Sequence, residues 1–413
     1  MGGVSFSADM VHSRPSHVSS RQLFPAIFRE SRVAEEACDG TAVGTNGVAG
    51  ACPAVQNLSL SSRSVLNIRR SIVAFRDKTG AGRALSSSGL MRKALAAAVG
   101  LGIAAVASAL LNRRLAQRAE RTNPPPGRFI KIGGVRLHYV ERGEGTPLIL
   151  LHGNGSMIQD FQCSGLIDLA AKKYRVIAFD RPGFGHSDRP SSVVWTPEAQ
   201  ADLIAAALEQ IGVRRAIVLG HSWGTLVALA LAMRHPPEVE AVVVVSGYYY
   251  ATARADIQIL SAVAATPIIG NVFSNTLSPM LARLMWPLIL RKIFGPSRVP
   301  EKFKDFPEEM AVRPKQIQAS AADAALMIPS ARALEKQYGL LHMPVAIVAG
   351  ADDKLVDPRQ SAQLHWNISH STLRCVPGAG HMVHQTATEE IMRAVDMVRA
   401  EKSTPFALMT GAA

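Results

Sequence analysis

Cysteine is scarce in this chain of 413 residues. Cys38, Cys52, Cys163 and Cys375 are scattered and none forms a C-x-x-C pair, which excludes a disulfide scaffold, dithiol redox chemistry and a zinc ribbon. Aromatic residues supply only 6% of the sequence and charged residues 19%, yet hydrophobic residues reach 48%, too many for a wholly disordered or fibrous chain. The 12 histidines are dispersed, and neither H-E-x-x-H nor a clustered Cys/His spacing occurs, so no metal and no cofactor is expected. The phosphate-loop patterns G-x-x-x-x-G-K-[ST] and G-x-G-x-x-G are missing as well. No internal repeat of solenoid or propeller period is present.

Basic residues outnumber acidic ones, 45 to 32, for a net charge of +13. The excess sits mainly in the leader: residues 1–121 hold 16 Lys and Arg against 7 Asp and Glu, and the remainder holds 29 against 25. A basic leader on a nearly neutral body points to targeting or membrane attachment, and away from a nucleic-acid partner. Residues 1–90 are rich in Ser, Arg, Ala and Gly without a sustained period of strand or helix. They are expected to lack structure, either as a transit peptide or as an upstream extension ahead of a start at Met91.

From Ala94 to Leu111 runs an uncharged stretch of 18 residues. As a helix it would span roughly 27 Å, close to the hydrocarbon thickness of a bilayer. Arg92 and Lys93 precede it, and Arg113, Arg114, Arg118 and Arg121 follow. Residues 91–121 are therefore expected to form a single uncleaved membrane anchor; a cleaved signal segment and a helix lying on the membrane surface are the other readings. Basic residues on both sides leave its orientation open. Arginine exceeds lysine, 33 to 12, a bias of GC-rich bacterial genomes, so a bacterial inner membrane is the expected location.

Asn123-Pro124-Pro125-Pro126-Gly127 ends any helix. Beyond it short apolar runs alternate with longer helical stretches. Strands are expected at 129–132 and 135–140, a hairpin about Gly133-Gly134, then at 147–151, 174–179, 216–219, 239–245, 344–348 and 372–376. Helices are expected near 197–211, 223–234, 357–367 and 385–400. Such alternation predicts an α/β fold, a mostly parallel sheet of eight strands covered on both faces. The alternation breaks between residues 251 and 340, where helical apolar spacing without a strand indicates an insertion over the carboxyl ends of the strands.

Gly220-His221-Ser222-Trp223-Gly224 lies between an aliphatic strand and a helix. A G-x-S-x-G turn in that setting forces the serine outward at the top of the sheet, as a nucleophile requires; a helix cap is the purely structural alternative. A serine hydroxyl needs a base, expected after the last strand, and an acid after the strand before it. His381 follows Gly378-Ala379-Gly380 and fits the base, with His384 its rival, expected to point away. Asp352, Asp353 and Asp357 compete for the acid. Asp357, ahead of Pro358, suits a helix cap, Asp352 suits solvent or the loop itself, and Asp353 is expected to face His381. His152-Gly153-Asn154-Gly155 closes an early strand and offers backbone N–H groups for an oxyanion: Asn154 and Trp223 supply the two amides, and the Asn154 side chain also lies within reach of substrate.

Together with Asp180-Arg181-Pro182-Gly183-Phe184-Gly185-His186-Ser187-Asp188, these motifs resemble the α/β-hydrolases that carry a lid, over residues 128–400. The resemblance implies a core of residues 122–250 and 341–404 with a helical lid at 251–340. It also implies a serine esterase with a Ser222–His381–Asp353 triad, similar to the haloperoxidase-like esterases. Epoxide hydrolases and haloalkane dehalogenases of this fold carry an Asp where Ser222 stands, which disfavours them. A proline iminopeptidase-like aminopeptidase, with a similar Ser-Trp-Gly elbow, is the enzymatic alternative, and a non-catalytic binding protein on this scaffold the other. The insertion is rich in Ile, Leu, Met and Ala, which predicts an apolar pocket and a small lipophilic ester as substrate. Tyr248-Tyr249-Tyr250 is expected to pack beneath the lid, and the basic apolar segment 280–294 to form a lid helix, with contact to a bilayer surface as its other reading.

Overall fold

A helix α1 (Gly80–Thr122) runs through the apolar stretch and its arginine flank and stops at Asn123, whose side-chain amide donates to Ala119 O at 2.9 Å. The computed structural model describes residues 80–252 and 267–403. Residues 92–413 form one compact unit. Most of the leader expected to lack structure, residues 1–79, lies outside the described residues, as do 253–266 at the start of the expected lid. Residues 80–90 depart from that expectation because they are helical: no proline stands between Gly80 and the apolar run, so helix continues back from the run without a new nucleus. Among the described residues, Gly89–Thr122 is the one helix long and apolar enough to cross a membrane, and no residue of its apolar window is buried.

The strands are β1 (Arg128–Ile132), β2 (Val135–Arg142), β3 (Thr146–Leu151), β4 (Tyr174–Phe179), β5 (Ala216–His221), β6 (Val239–Val245), β7 (Val345–Gly350) and β8 (Thr372–Val376). They form one sheet in the order β1-β2-β4-β3-β5-β6-β7-β8. β1 and β2 pair antiparallel across Gly133 and Gly134, both at positive φ, and β2 pairs antiparallel with β4; every other pairing is parallel. This is the eight-stranded, mostly parallel sheet predicted above. The central strands are covered on both faces, so β5 and β6 read as continuous aliphatic runs rather than as alternating ones.

Helices α2 (Ile158–Cys163) and α3 (Leu166–Ala170) follow β3, α4 (Pro197–Gln210) follows β4, and α5 (Gly224–Arg234) follows β5. Between β6 and β7 the described residues hold only helical elements: α6 (Pro267–Thr276), α7 (Ser278–Phe294), α8 (Glu308–Ala311) and α9 (Pro314–Leu334), with short 3-10 turns. α10 (Arg359–Asn367), α11 (Val383–Thr386) and α12 (Thr388–Ser403) complete the chain. α4 starts where the sequence predicts because Thr196 caps it, accepting from Ala199 N, with Pro197 in the first turn. α2, α3, α8 and α11 are too short to leave a period in the sequence.

One core joins Leu148, Leu150, Ile217, Leu219 and Val243 of the sheet to Val395 and Val398 of α12. Each such side chain contributes about 1.5–3 kcal/mol when fully buried. A second cluster gathers Ala119 of α1 with Met157, Phe294, Phe303, Phe306 and Met382, so the last turns of α1 pack on the helical insertion. Glu120 pairs there with Arg313 at 2.6 Å and with Lys315 at 2.9 Å.

Candidate active site

β5 delivers the chain to Ser222, which takes φ 53, in the left-handed region that a side chain rarely adopts. The two flanking glycines make the turn possible by their lack of a side chain. A Cβ on Gly220 would lie 2.4 Å from Gly224 O, and one on Gly224 would lie 2.2 Å from Leu151 O. Ser222 N donates to Val245 O at 2.9 Å, which fixes the turn to the sheet, and its Oγ projects beyond the strand end.

His381 Nε2 lies 2.9 Å from Ser222 Oγ, and His381 Nδ1 lies 2.7 Å from Asp353 Oδ2. A carboxylate only accepts, so Nδ1 carries the proton and Nε2 faces the serine hydroxyl as the acceptor. Asp353 Oδ1 accepts from Leu355 N at 2.8 Å and from Val356 N at 3.0 Å, which leaves the carboxylate a single orientation. Both residues are buried. The rival aspartates are engaged elsewhere: Asp352 Oδ2 accepts from Gly378 N and holds the loop, while Asp357 accepts from Arg359 N at the start of α10.

The turn after β3 is held by Arg181. Its Nε donates to His152 O at 2.8 Å and its Nη2 to Gly153 O at 3.0 Å, while its Nη1 meets Asp323 Oδ2 of α9 at 2.7 Å. The guanidinium is buried against the rings of Phe184 and Trp223, 4.7 and 4.6 Å from their centroids. With the carbonyls of residues 152 and 153 drawn toward Arg181, the next amide, that of Asn154, is free to face the cavity. Neither the Asn154 nor the Trp223 amide meets a backbone acceptor among the described residues outside helices and strands, and Trp223 precedes the first turn of α5. The Asn154 side chain donates through Nδ2 to Ser320 O of α9 at 3.0 Å, tying this turn to the insertion, while the residue still lines the cavity. Arg181 stood in a family motif without a role; its signal was an arginine set between an apolar strand and a Pro-Gly turn.

His384 points away from Ser222. Its Nε2 donates to Asp160 Oδ1 at 3.0 Å, and its ring lies against that of His221, tilted by 54° with centroids 4.1 Å apart. Ser156 Oγ and Gln385 Nε2 donate to the same carboxylate, at 2.9 and 2.7 Å, and His221 Nε2 donates to His381 O at 3.1 Å. Burial would raise the Asp160 carboxyl, but His384, His221 and Gln385 outweigh it and hold it below the ordinary carboxylate range. Burial and then the neighbouring His384 and His381 push the His221 imidazole well below the ordinary histidine range. Asp160, His221 and His384 are also the described residues that could hold a cation, with one ligand atom from each inside 4.8 Å. Positions 160, 221 and 384 are too far apart in sequence for any spacing rule to have found them.

A cavity of about 630 Å³ opens above Ser222 and His381, roofed by residues of the insertion that include Phe273, Leu281, Met285, Trp286 and Ile289. No Lys or Arg lines it among the described residues. Tyr248 contributes to the wall with its hydroxyl bonded to Thr252 O, and Tyr249 is buried beneath.

The α/β hydrolase fold family model matches residues 146–388. A 2-hydroxymuconate semialdehyde hydrolase of Pseudomonas sp. strain CF600 is 35% identical over 126 residues, 30% of this chain and 44% of that protein. Another, from Pseudomonas putida, is 26% identical over 295 residues, 68% of this chain and 97% of its own length. Among solved structures, a thermophilic esterase from Thermogutta terrifontis aligns with a TM-score of 0.57 at 21% identity, over 67% of this chain and 100% of that one. At that identity the likeness concerns the fold alone.

Proposed function

The chain belongs to the α/β hydrolase fold family and is a hydrolase, and we propose that it is a membrane-anchored serine esterase acting on small, neutral, lipophilic carboxylic esters. The observation that carries this reading is the continuous line of hydrogen-bonding groups from Ser222 Oγ through His381 to Asp353, at 2.9 and 2.7 Å. Ser222 Oγ attacks the ester carbonyl carbon while His381 Nε2 takes its proton, and Asp353 orients and stabilises the imidazolium. The negative oxygen of the tetrahedral intermediate is received by the amides of Asn154 and Trp223. Its collapse breaks the bond to the alcohol, which leaves with the proton from His381. Water then attacks the acyl-serine ester, gives its proton to His381, and releases the acid and Ser222.

The cavity supports the substrate class. Its walls are apolar, so each substrate methylene buried is worth about 0.8 kcal/mol. The absence of Lys and Arg from the described lining offers no counter-charge to an acid such as the muconate semialdehyde named for the Pseudomonas relatives. Attachment to the membrane through residues 94–111 rests on the length of the apolar window of α1 and on the absence of any buried residue within it. Within this reading residues 91–121 are the anchor, 122–250 and 341–404 the catalytic core, and 251–340 the lid.

The test is a series of p-nitrophenyl esters from acetate to dodecanoate. kcat/KM is expected to rise severalfold per added pair of methylenes through mid-chain lengths. A steep fall after acetate, or no ester turnover, contradicts the proposal.

A further inference from the structure

α7 carries two apolar stripes that differ in what covers them. Leu281, Met285 and Ile289, four residues apart, line the cavity. Met280, Leu284 and Leu288, one position earlier in each turn, do not line it and are exposed by 49%, 77% and 59%. Ile269 and Val272 of α6 are similarly exposed. Single exposed apolar residues need no explanation, but a contiguous patch beside a pocket marks a surface that meets an apolar partner.

The position of this patch relative to α1 identifies the partner. Ser108, within the apolar run, donates to Thr276 O at 2.8 Å and approaches Met280 Sδ at 3.6 Å. Asn112, just past the run, is buried, and its Nδ2 donates to Asn275 O at 3.0 Å and Thr276 O at 2.7 Å. These are the last carbonyls of α6, left without intrahelical partners, so α1 caps the helix that precedes α7. The exposed stripe of α7 thus begins against the carboxyl end of the apolar run, where Arg113 and Arg114 begin the basic flank. A helix whose run spans the hydrocarbon carries such a flank at the headgroup level. Residues fastened to Ser108 and Asn112 then sit at that same boundary, with an apolar face and, at its end, Arg291 and Lys292.

We propose that the outward face of α7, with the end of α6, is embedded in the bilayer interface beside α1, so that the cavity takes its substrate from the lipid phase. The stripe lining the cavity adjoins the embedded one along α7, and its members Leu281 and Met285 are themselves exposed, so the lipid boundary and the cavity wall lie on one helix. This inference rests on the reading of α1 as an anchor. It adds that the lid, and not the anchor alone, is a membrane-contacting element.

The experiment uses the full-length protein in vesicles of phosphatidylcholine with a minority of phosphatidylglycerol. A Leu284→Trp variant should show added tryptophan emission that is quenched when dibrominated phosphatidylcholine replaces the ordinary lipid. Leu284→Glu with Leu288→Glu should lower kcat/KM toward a diacylglycerol dissolved in the same vesicles by about tenfold or more, while kcat/KM for water-soluble p-nitrophenyl acetate stays unchanged. Emission from position 284 that brominated lipid leaves untouched, or equal losses on both substrates, overturns the proposal, as does cross-linking that shows a second copy covering the stripe. Failure of the anchor reading is separately visible as wild-type protein that does not sediment with the vesicles. Failure of the esterase reading shows as wild type inactive on both substrates, and the quenching result then decides the membrane contact alone.

Discussion

His221 Nε2 donates to the backbone carbonyl of His381 at 3.1 Å, so the residue that precedes Ser222 in the chain holds the loop that brings His381 to it. The nucleophile turn and the loop of its proposed base are tied at a second point besides the serine–histidine contact. Asp160 extends the tie, because its carboxylate joins Ser156, beside the oxyanion turn, to His384 and Gln385 just past His381.

Replacing His221 by Phe is expected to keep the fold and to lower kcat far more than it changes KM. The His381 carbonyl loses its donor in buried surroundings, a cost of about 1–3 kcal/mol. Expressed wholly as misplacement of the imidazole, that amounts to about a five- to 150-fold loss of rate. His221→Gln, which can offer an N–H to the same carbonyl, should recover part of it. Steady-state kinetics on a short ester read the outcome; loss confined to KM would argue against a positioning role.

Acid should destabilise the protein from mildly acidic pH downward. His152 is fully buried, and burial followed by Arg181 lowers its imidazole from the ordinary 6.5 to about 3. Its Nε2 accepts from Arg181 N at 3.0 Å, a bond that protonation would break. A histidine whose folded pKa is depressed binds its proton in the unfolded chain first. The stability it contributes is complete above 6.5 and falls as pH drops toward 3, by up to about 1.4 kcal/mol per pH unit. Asp160, also depressed, keeps its contribution above the ordinary carboxylate range and loses it as pH falls further. Urea midpoints measured from pH 7.5 to 4, about the range in which buried histidines report, should therefore decline steadily. A flat profile would show that His152 is not held as described.

Much of this arrangement was legible in the sequence. β4 and β6 match the expected spans because buried parallel strands are mainly apolar runs, and β8, a partly exposed edge strand, matches through its Thr, Leu, Cys and Val. The serine turn was legible because its glycines are demanded by backbone approaches of 2.2–2.4 Å. The relations between distant positions were not. Arg181 with Asp323, Asp160 with His384, and Asn112 with Thr276 each join a loop or helix end to a partner more than a hundred residues away. Their meeting depends on the closed fold and leaves no spacing in the chain. Helix over residues 80–90 was missed for a different reason: its residues form helix by continuation from α1 and carry no amphipathic period of their own.

The central claim, that Ser222 is the nucleophile, is tested most directly by labelling the full-length protein with a fluorophosphonate and locating the adduct by peptide mass spectrometry. The account predicts a single adduct on Ser222, absent in Ser222→Ala and formed much more slowly in His381→Ala. An adduct that persists in Ser222→Ala, or a wild-type protein that takes no label, would contradict it.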